Sequence, residues 1–195
     1  MIRLATPADA AGVLAIYAPI VRDTAVSFEY DVPTEADMEA RIENVLHKRP
    51  WLVYERAGEV LGYVYASTFR ERLAYRWGTE VTVYIRADTR GRGLGRALYT
   101  ALFEALKLQG YCMVVAGATL PNEATERLHA AMGFQTIGVY PSAGYKHGRW
   151  HDVIFWFLQL QPLPAEPAEP LPLRKVVNTA PWRAALQRGA ELVTL

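Results

Sequence analysis

The segment that most limits the fold is Arg90-Gly91-Arg92-Gly93-Leu94-Gly95-Arg96. An alternating β run, Val81, Val83 and Ile85, precedes it, and a helical run from Leu94 to Gln109 follows it. Three closely spaced glycines let backbone N–H groups approach a ligand with no Cβ in the way. The start of the helix adds unpaired donors and a partial positive charge. Such a strand–turn–helix unit is a seat for an anion, most simply a diphosphate, with Arg90, Arg92 and Arg96 at its rim. Two common phosphate-binding patterns do not fit. A P-loop needs Lys-Ser or Lys-Thr after its last glycine, and a dinucleotide fingerprint needs a glycine where Arg96 stands. The pattern that remains is Arg90-x-x-Gly93-x-Gly95.

Around this unit the periodicity predicts a β-α-α-β-β-β-α-β-α-β-β order. Ile2 to Ala5 reads as a strand. Thr6-Pro7-Ala8-Asp9 starts a helix, with Thr6 as its cap and Val13, Ile16, Tyr17 and Ile20 on one face. Thr34 and Asp37 fit a capping box for a second helix carrying Met38, Ile42, Val45 and Leu46, ended by Pro50. Trp51–Arg56 and Val60–Tyr65 flank the turn signal Ala57-Gly58-Glu59. After an arginine- and aromatic-rich loop, Phe69 to Arg76, β character returns over Trp77–Ile85. In the helix from Leu94, Leu98, Leu102, Ala105 and Leu106 share a face, and Gly110 follows as a C-cap. Cys112–Ala116 suits a buried central strand. A helix over Asn122–Met132, ended by Gly133, precedes a closing pair at Ile137–Tyr140 and Trp150–Leu160. Antiparallel pairs followed by strand–helix–strand indicate a mixed α/β sheet.

Composition narrows the classes further. Of 195 residues, 51% are hydrophobic and 21% charged, enough apolar material for a core. Twenty-one Lys and Arg against twenty Asp and Glu leave no surplus that would attract nucleic acid. The single cysteine, Cys112, excludes an intramolecular disulfide and a multi-cysteine metal site. His147-x(3)-His151 lies on a turn and strand with no third ligand in view, so no metal is expected. The apolar runs fall short of the ~18 residues that span a bilayer. The opening MIRLATPADA has no secretory pattern, so the expectation is a cytoplasmic protein without membrane contact. Residues 1–160 read as one domain and 161–195 as a proline-rich extension. Pro181–Leu195 has helical spacing, with Trp182, Leu186 and Leu192 as contacts. It either docks on the body or a partner chain, or frays.

The glycine pattern, in its strand–turn–helix setting, resembles motif A of the GNAT acyltransferase superfamily. Asn122-x-Ala124-x(3)-Leu128-His129-x(3)-Gly133-Phe134 resembles the second half of the same superfamily pattern. Glu80-x-Thr82-Val83-Tyr84, Leu120-Pro121-Asn122 and the block Gly144-Tyr145-Lys146-His147-Gly148-Arg149-Trp150-His151-Asp152 look like the phosphinothricin N-acetyltransferase family. That family includes acetylases of methionine sulfone and sulfoximine. The resemblance covers residues 2 to about 160 and leaves the tail without a counterpart.

The resemblance implies a GNAT fold: a mixed, mostly antiparallel sheet of about seven strands, flanked by helices and splayed at its central parallel pair. It implies acetyl-CoA as co-substrate, no metal, a small amino-acid acceptor and a homodimer. It assigns acetyl-CoA to Val83, Tyr84, Ile85, Arg90, Gly91, Arg92, Gly93, Leu94, Gly95, Arg96 and Asn122, with the Val83 N–H on the thioester oxygen. Asn122 is either a helix cap alone or a cap that also bonds the pantetheine arm. Glu80 is implied as the base that takes the proton of the attacking amine; a structural pairing with an arginine such as Arg76 is the alternative. His129 occupies the position where many relatives carry a catalytic tyrosine, and is either a proton donor or acceptor or a satisfied core histidine. Arg70, Arg72, Tyr75 and Trp77 are candidates for the acceptor site, with Phe28, Lys146 and His147. Two rival readings stand beside an amino-acid acetyltransferase: an enzyme for another small amine or a peptide N-terminus, and an acyl-CoA-sensing module without turnover.

Overall fold

The computed structural model describes residues 1–194; Leu195, part of the expected terminal stretch, lies outside the described residues. Seven strands form one sheet: β1 (Ile2–Leu4), β2 (Trp51–Arg56), β3 (Glu59–Thr68), β4 (Gly78–Ile85), β5 (Met113–Thr119), β6 (Gln135–Lys146) and β7 (Arg149–Gln159). Their spatial order is β1-β2-β3-β4-β5-β7-β6, and every neighbouring pair is antiparallel except β4–β5. The helices are α1 (Ala10–Asp23), α2 (Glu35–Leu46), α3 (Leu94–Gln109), α4 (Glu123–Ala131) and α5 (Ala180–Ala190). The mixed sheet with a central parallel pair is the one the sequence predicts. No helix among the described residues is long and apolar enough to cross a membrane.

Local chemistry explains most boundaries. At α2 the cap is reciprocal: Thr34 N–H donates to Asp37 Oδ2 (2.9 Å) and Asp37 N–H donates to Thr34 Oγ1 (3.1 Å). The start of α1 differs from the expectation in its first turn, which is 3-10. Arg3 grips both oxygens of Asp9 at 2.6 and 2.8 Å, and Asp9 also accepts from Thr6 N–H (2.8 Å). The Thr6 hydroxyl also donates to Asp9 Oδ2 (3.2 Å), so Thr6 and Asp9 form a capping box over the 3-10 turn Pro7–Asp9 that leads into α1. Ala57 and Gly58 both have positive φ, 51° and 81°, which makes the β2–β3 turn a two-residue one and places Glu59 in β3. β6 runs well past the expected Ile137–Tyr140. It is an edge strand, so Pro141 costs no ladder bond, and a register shift between Tyr140 and Gly144 absorbs the break.

The sheet buries both faces. Val13, Ile16, Tyr17 and Val21 of α1 and Met38 and Ile42 of α2 pack on Trp51, Val53 and Tyr63. On the other face α3 packs Leu94, Leu98, Leu102 and Leu106 into a core shared with Leu52, Val64, Val81, Val114 and Trp156. α3 is buried on a second side as well, which its expected single face omits. There Ala97 and Ala101 meet α5, whose Gly189 approaches so closely that a Cβ would stand 2.5 Å from Ala97 O and 2.8 Å from Ala101 Cβ. The tail docks on the body. Leu173, Val176, Trp182 and Ala185 are buried, and Trp77 Nε1–H donates to Ala168 O at 2.8 Å.

Trp182 is only 2% exposed in the shared core. Trp182→Ala should therefore destabilise the protein by about 3–5 kcal/mol, as large core truncations do. Urea unfolding monitored by far-UV circular dichroism measures it; a change below about 0.5 kcal/mol, the range of surface substitutions, would mean that the tail is peripheral.

Candidate active site

The site begins where β4 and β5 part. Their pairing runs Gly78–Met113, Thr79–Val114 and Glu80–Val115 and then stops. The Trp77 carbonyl accepts from Cys112 N–H (2.9 Å), so it points toward β5. Backbone groups alternate sides along a strand, so Thr79, Val81, Val83 and Ile85 share that direction. The N–H of Arg86 donates to Leu61 O on β3, as the alternation requires. The amides of Val83 and Ile85 therefore face the gap. The backbone of Tyr84 belongs to the ladder with β3, and its ring packs against Tyr17 and Tyr63 at 5.3 and 5.5 Å. Of the expected trio, Val83 and Ile85 present main chain to the gap and Tyr84 presents none.

A groove of about 750 Å³ passes through this gap. Val83, Tyr84, Ile85, Arg90, Gly91, Gly93, Leu94, Gly95, Arg96 and Asn122 all line it, so the structure gathers ten of the eleven residues assigned to acetyl-CoA. Arg92 is the exception: it turns to a separate hollow beside Arg56, Glu59, Arg86 and Asp88. Gly91 and Gly93 adopt φ of 76° and 82°, which curls the chain into the helix. Among the described residues no amide from Gly91 to Arg96 donates to a protein group; the first to do so is Ala97, to Gly93 O at 2.9 Å. A Cβ on Gly95 would stand 2.9 Å from Leu128 Cδ2, so this glycine sets how closely α3 approaches α4 across the groove. The Asn122 amide oxygen accepts from Thr125 N–H (3.3 Å) and so caps α4, while the residue still lines the groove. Thr24 and Val26, from the α1–α2 connection, and Arg127 complete the wall. The sequence reading assigned none of these three. Arg127 was within reach, because it adjoins the quoted Leu128-His129 pair on α4.

Glu80 is the last residue of β4 paired to β5 and lies at the closed end of the split. Alternation puts its side chain on the α1–α2 face with Thr82 and Tyr84. Burial raises its carboxyl above the ordinary carboxylate value, and nearby Arg70 partly opposes this. Arg76, the structural partner considered for it, pairs with Glu169 of the tail.

His129 occupies the satisfied-core arrangement. It is 3% exposed and stacks on Trp156 at 4.4 Å. Nδ1–H donates to Thr125 O (2.8 Å), which leaves Nε2 as the acceptor for Tyr99 O–H (3.2 Å). Neither nitrogen is free to exchange a proton with the groove, contrary to the expected catalytic role. Four acceptor-site candidates make other contacts. Lys146, 3% exposed, donates Nζ–H to Val21 O (2.6 Å) and Ser27 O (2.8 Å); burial pushes its ammonium down while Glu29 opposes. The exposed His147 donates Nε2–H to Thr24 O (3.2 Å). Trp77 and Tyr75 line a separate hollow of about 280 Å³, walled also by Cys112, Met113 and, from the tail, Leu163, Pro164 and Pro167. Phe28 packs on Gly144, which has no room for a Cβ, and near His151 (6.2 Å between ring centres). Arg70 and Arg72 remain in the exposed loop before β4, Arg70 over the Phe69 ring at 5.3 Å.

Residues 2–155 match the family model described as an acetyltransferase (GNAT) domain. The chain belongs to the GNAT acetyltransferase family. It is an acyltransferase. It is 40% identical to phosphinothricin N-acetyltransferase of Streptomyces viridochromogenes over 87% of this chain and 93% of the relative. It is 38% identical to the L-methionine sulfoximine/L-methionine sulfone acetyltransferase of Pseudomonas aeruginosa over 85% and 98%. Its fold matches the crystal structure of a GNAT superfamily phosphinothricin acetyltransferase from Sinorhizobium meliloti in complex with acetyl-CoA. The TM-score is 0.82 at 33% identity, over 88% of this chain and 94% of that one. The groove suits that ligand: a run of unpaired amides at a helix start for a diphosphate, and an open strand edge for an amide-bearing arm.

Burial holds His129 below the ordinary imidazole value of 6.5, with its bond to Thr125 opposing. Below pH 6.5 the unfolded chain binds this proton and the folded one resists it, so stability present above 6.5 is lost as pH falls below it. Urea midpoints at pH 8, 6.5 and 5 should drop for the native protein, and less so for His129→Phe. Parallel slopes would show that His129 is charged in the folded state.

Proposed function

We propose that this enzyme transfers the acetyl group of acetyl-CoA to the α-amino group of phosphinothricin or a related amino acid such as methionine sulfone or sulfoximine. The observation that carries the reading is the split between β4 and β5, with unpaired amides on the cofactor side and a carboxylate of raised pKa at its closed end. The names of the relatives supply the acceptor class.

Acetyl-CoA brings an activated thioester carbonyl and a thiolate leaving group. Gly91 to Arg96 hold its diphosphate through main-chain N–H groups, with Arg90 and Arg96 beside them. The Val83 N–H orients the thioester oxygen and stabilises the charge that develops on it. Glu80 takes the proton of the acceptor ammonium, directly or through a water, and frees the nitrogen lone pair for direct attack. Its raised pKa makes it a stronger base than an exposed carboxylate. Arg70 and Arg72 face the acceptor's carboxylate and its phosphinate or sulfone oxygens. No proton step is assigned to His129, whose two nitrogens are engaged. Residues 1–160 carry this chemistry, with 161–195 as an extension. The exposed stripe Ile137, Val139, Tyr140, Tyr145 and Trp150 on the β6–β7 arm supports a homodimer.

A thiol-release assay over a panel of amines tests the reading. Phosphinothricin and methionine sulfone should react, and polyamines and peptides should not; reaction with peptides alone would reject the acceptor class. Glu80→Gln should lower kcat by about 100-fold or more and leave coenzyme A affinity unchanged. In the native enzyme kcat/KM should fall as pH drops through a value above 4.5, the ordinary value for this carboxyl. An unaltered kcat in the variant removes Glu80 from the reaction. Trp150→Glu should halve the mass measured by light scattering; an unchanged mass places self-association elsewhere.

A further inference from the structure

The tail follows α3 from end to end. Leu171 N–H donates to Gln109 O at 2.7 Å, and Gln109 Nε2–H returns a bond to Leu171 O at 2.8 Å. Further on, Arg188 pairs with Glu104 at 2.7 Å, and Gly189 lies against Ala101 and Ala97. As the tail numbers rise, the α3 numbers fall, so the two segments run antiparallel. The path ends at the glycine turn. The Leu192 carbonyl oxygen stands 2.7 Å from where a Cβ of Gly93 would be, and Thr194 Oγ1–H donates to Arg92 O at 3.5 Å. Neither Leu192 nor Thr194 lines the groove, so both contacts fall on the outer side of the turn.

These contacts give Gly93 a second reason to be glycine. Its positive φ already disfavours a side chain. In addition, a Cβ would run into the tail. The outer side of the turn is thus filled by a segment 100 residues away in sequence, beyond the residues that match the family model.

We propose that the C-terminal extension is a functional part of the cofactor site. The segment Leu192–Thr194 braces the Arg90–Arg96 turn from outside and holds its amides in the arrangement that a diphosphate needs. Leu192 and Thr194 are positioning residues and touch no ligand. The turn has three glycines and, among the described residues, no hydrogen bond donated by its amides; Leu94 in the core and Gly95 against Leu128 anchor its helical side, and the tail contacts are what hold Arg92 and Gly93 on the other. This inference rests on the acetyl-CoA reading of the groove.

The test compares the full chain with a chain ending at Glu191, using calorimetric titration with coenzyme A and steady-state kinetics. If the unbraced turn is correctly formed only part of the time, the apparent Kd rises by the inverse of that fraction, here about 5- to 10-fold. KM for acetyl-CoA should rise by the same factor, while kcat and the KM of the amine stay within about twofold, because the brace touches neither Glu80 nor the acceptor loop. Gly189→Val keeps the full length, lifts the end of α5 from Ala97 and should shift coenzyme A affinity in the same direction. A cycle with Gly93→Ala reads the contact itself: its penalty on coenzyme A affinity should be larger in the full chain than in the shortened one. Equal affinities in the two chains, tighter binding by the shortened chain or equal Gly93→Ala penalties overturn the brace. If the full chain fails to bind coenzyme A, the acetyl-CoA reading falls with it; if only the shortened-chain effects are missing, that reading stands and the brace alone is wrong.

Discussion

The parting of β4 from β5 is the constraint on which the rest of the structure depends. Two parallel strands that stay paired leave no free backbone between them. Here the ladder ends at Glu80–Val115, and the amides of Val83 and Ile85 are left facing a gap. An unpaired strand edge inside a protein is costly unless something completes it. The gap is lined from both sides: α1 and its following connection contribute Ile20, Thr24 and Val26, and the end of β4, the turn after it, the start of α3 and α4 contribute the rest. The anion seat, the open strand edge and the carboxylate then follow one another along a single strand–turn–helix segment. The fold supplies the chemistry by leaving bonds unmade at one place.

The local part of this design was legible in the sequence. The limits of α3 followed from Gly93 and Gly110, both of which adopt positive φ, and the capping box of α2 followed from Thr34 and Asp37. The groove-lining residues were legible because most of them lie within one turn, where spacing in sequence fixes spacing in the fold. What the sequence concealed was set by contacts between distant segments. Lys146 was grouped with the acceptor site, yet its ammonium is spent on carbonyls at Val21 and Ser27, more than 100 residues earlier. Trp77 has the character of a pocket wall, and its partner is the carbonyl of Ala168. Arg92 sits among residues that face the groove, and only the curl of the turn sends it to the opposite side. The second buried side of α3 was hidden for a similar reason. Ala97 and Ala101 are small enough to suit either solvent or a close helix, and nothing nearby decides between them.

His129 shows how a shared position can change its use. Its ring sits between Trp156 and Phe134, at 4.4 and 4.7 Å, with a carbonyl on one nitrogen and the Tyr99 hydroxyl on the other. The hydrogen bonds fix the tautomer of the neutral ring, and burial disfavours its charged form. Its contribution is to order, since it pins Tyr99 of α3 to α4. Glu80 is the reverse case: among the described residues no cation pairs with its carboxylate, and burial raises its pKa.

The tip of the β6–β7 arm is fastened to the end of α1 and the segment that follows it at four points: Tyr30 hydroxyl to Tyr145 carbonyl (2.5 Å), Lys146 to Val21 and Ser27, and His147 to Thr24. Thr24 and Val26 of that segment form one wall of the groove. Arm and groove wall therefore share one set of anchors: the main chain that carries Thr24 and Val26 into the groove is held in place by bonds from the far edge of the sheet, so a substitution that frees the arm's tip also frees that wall.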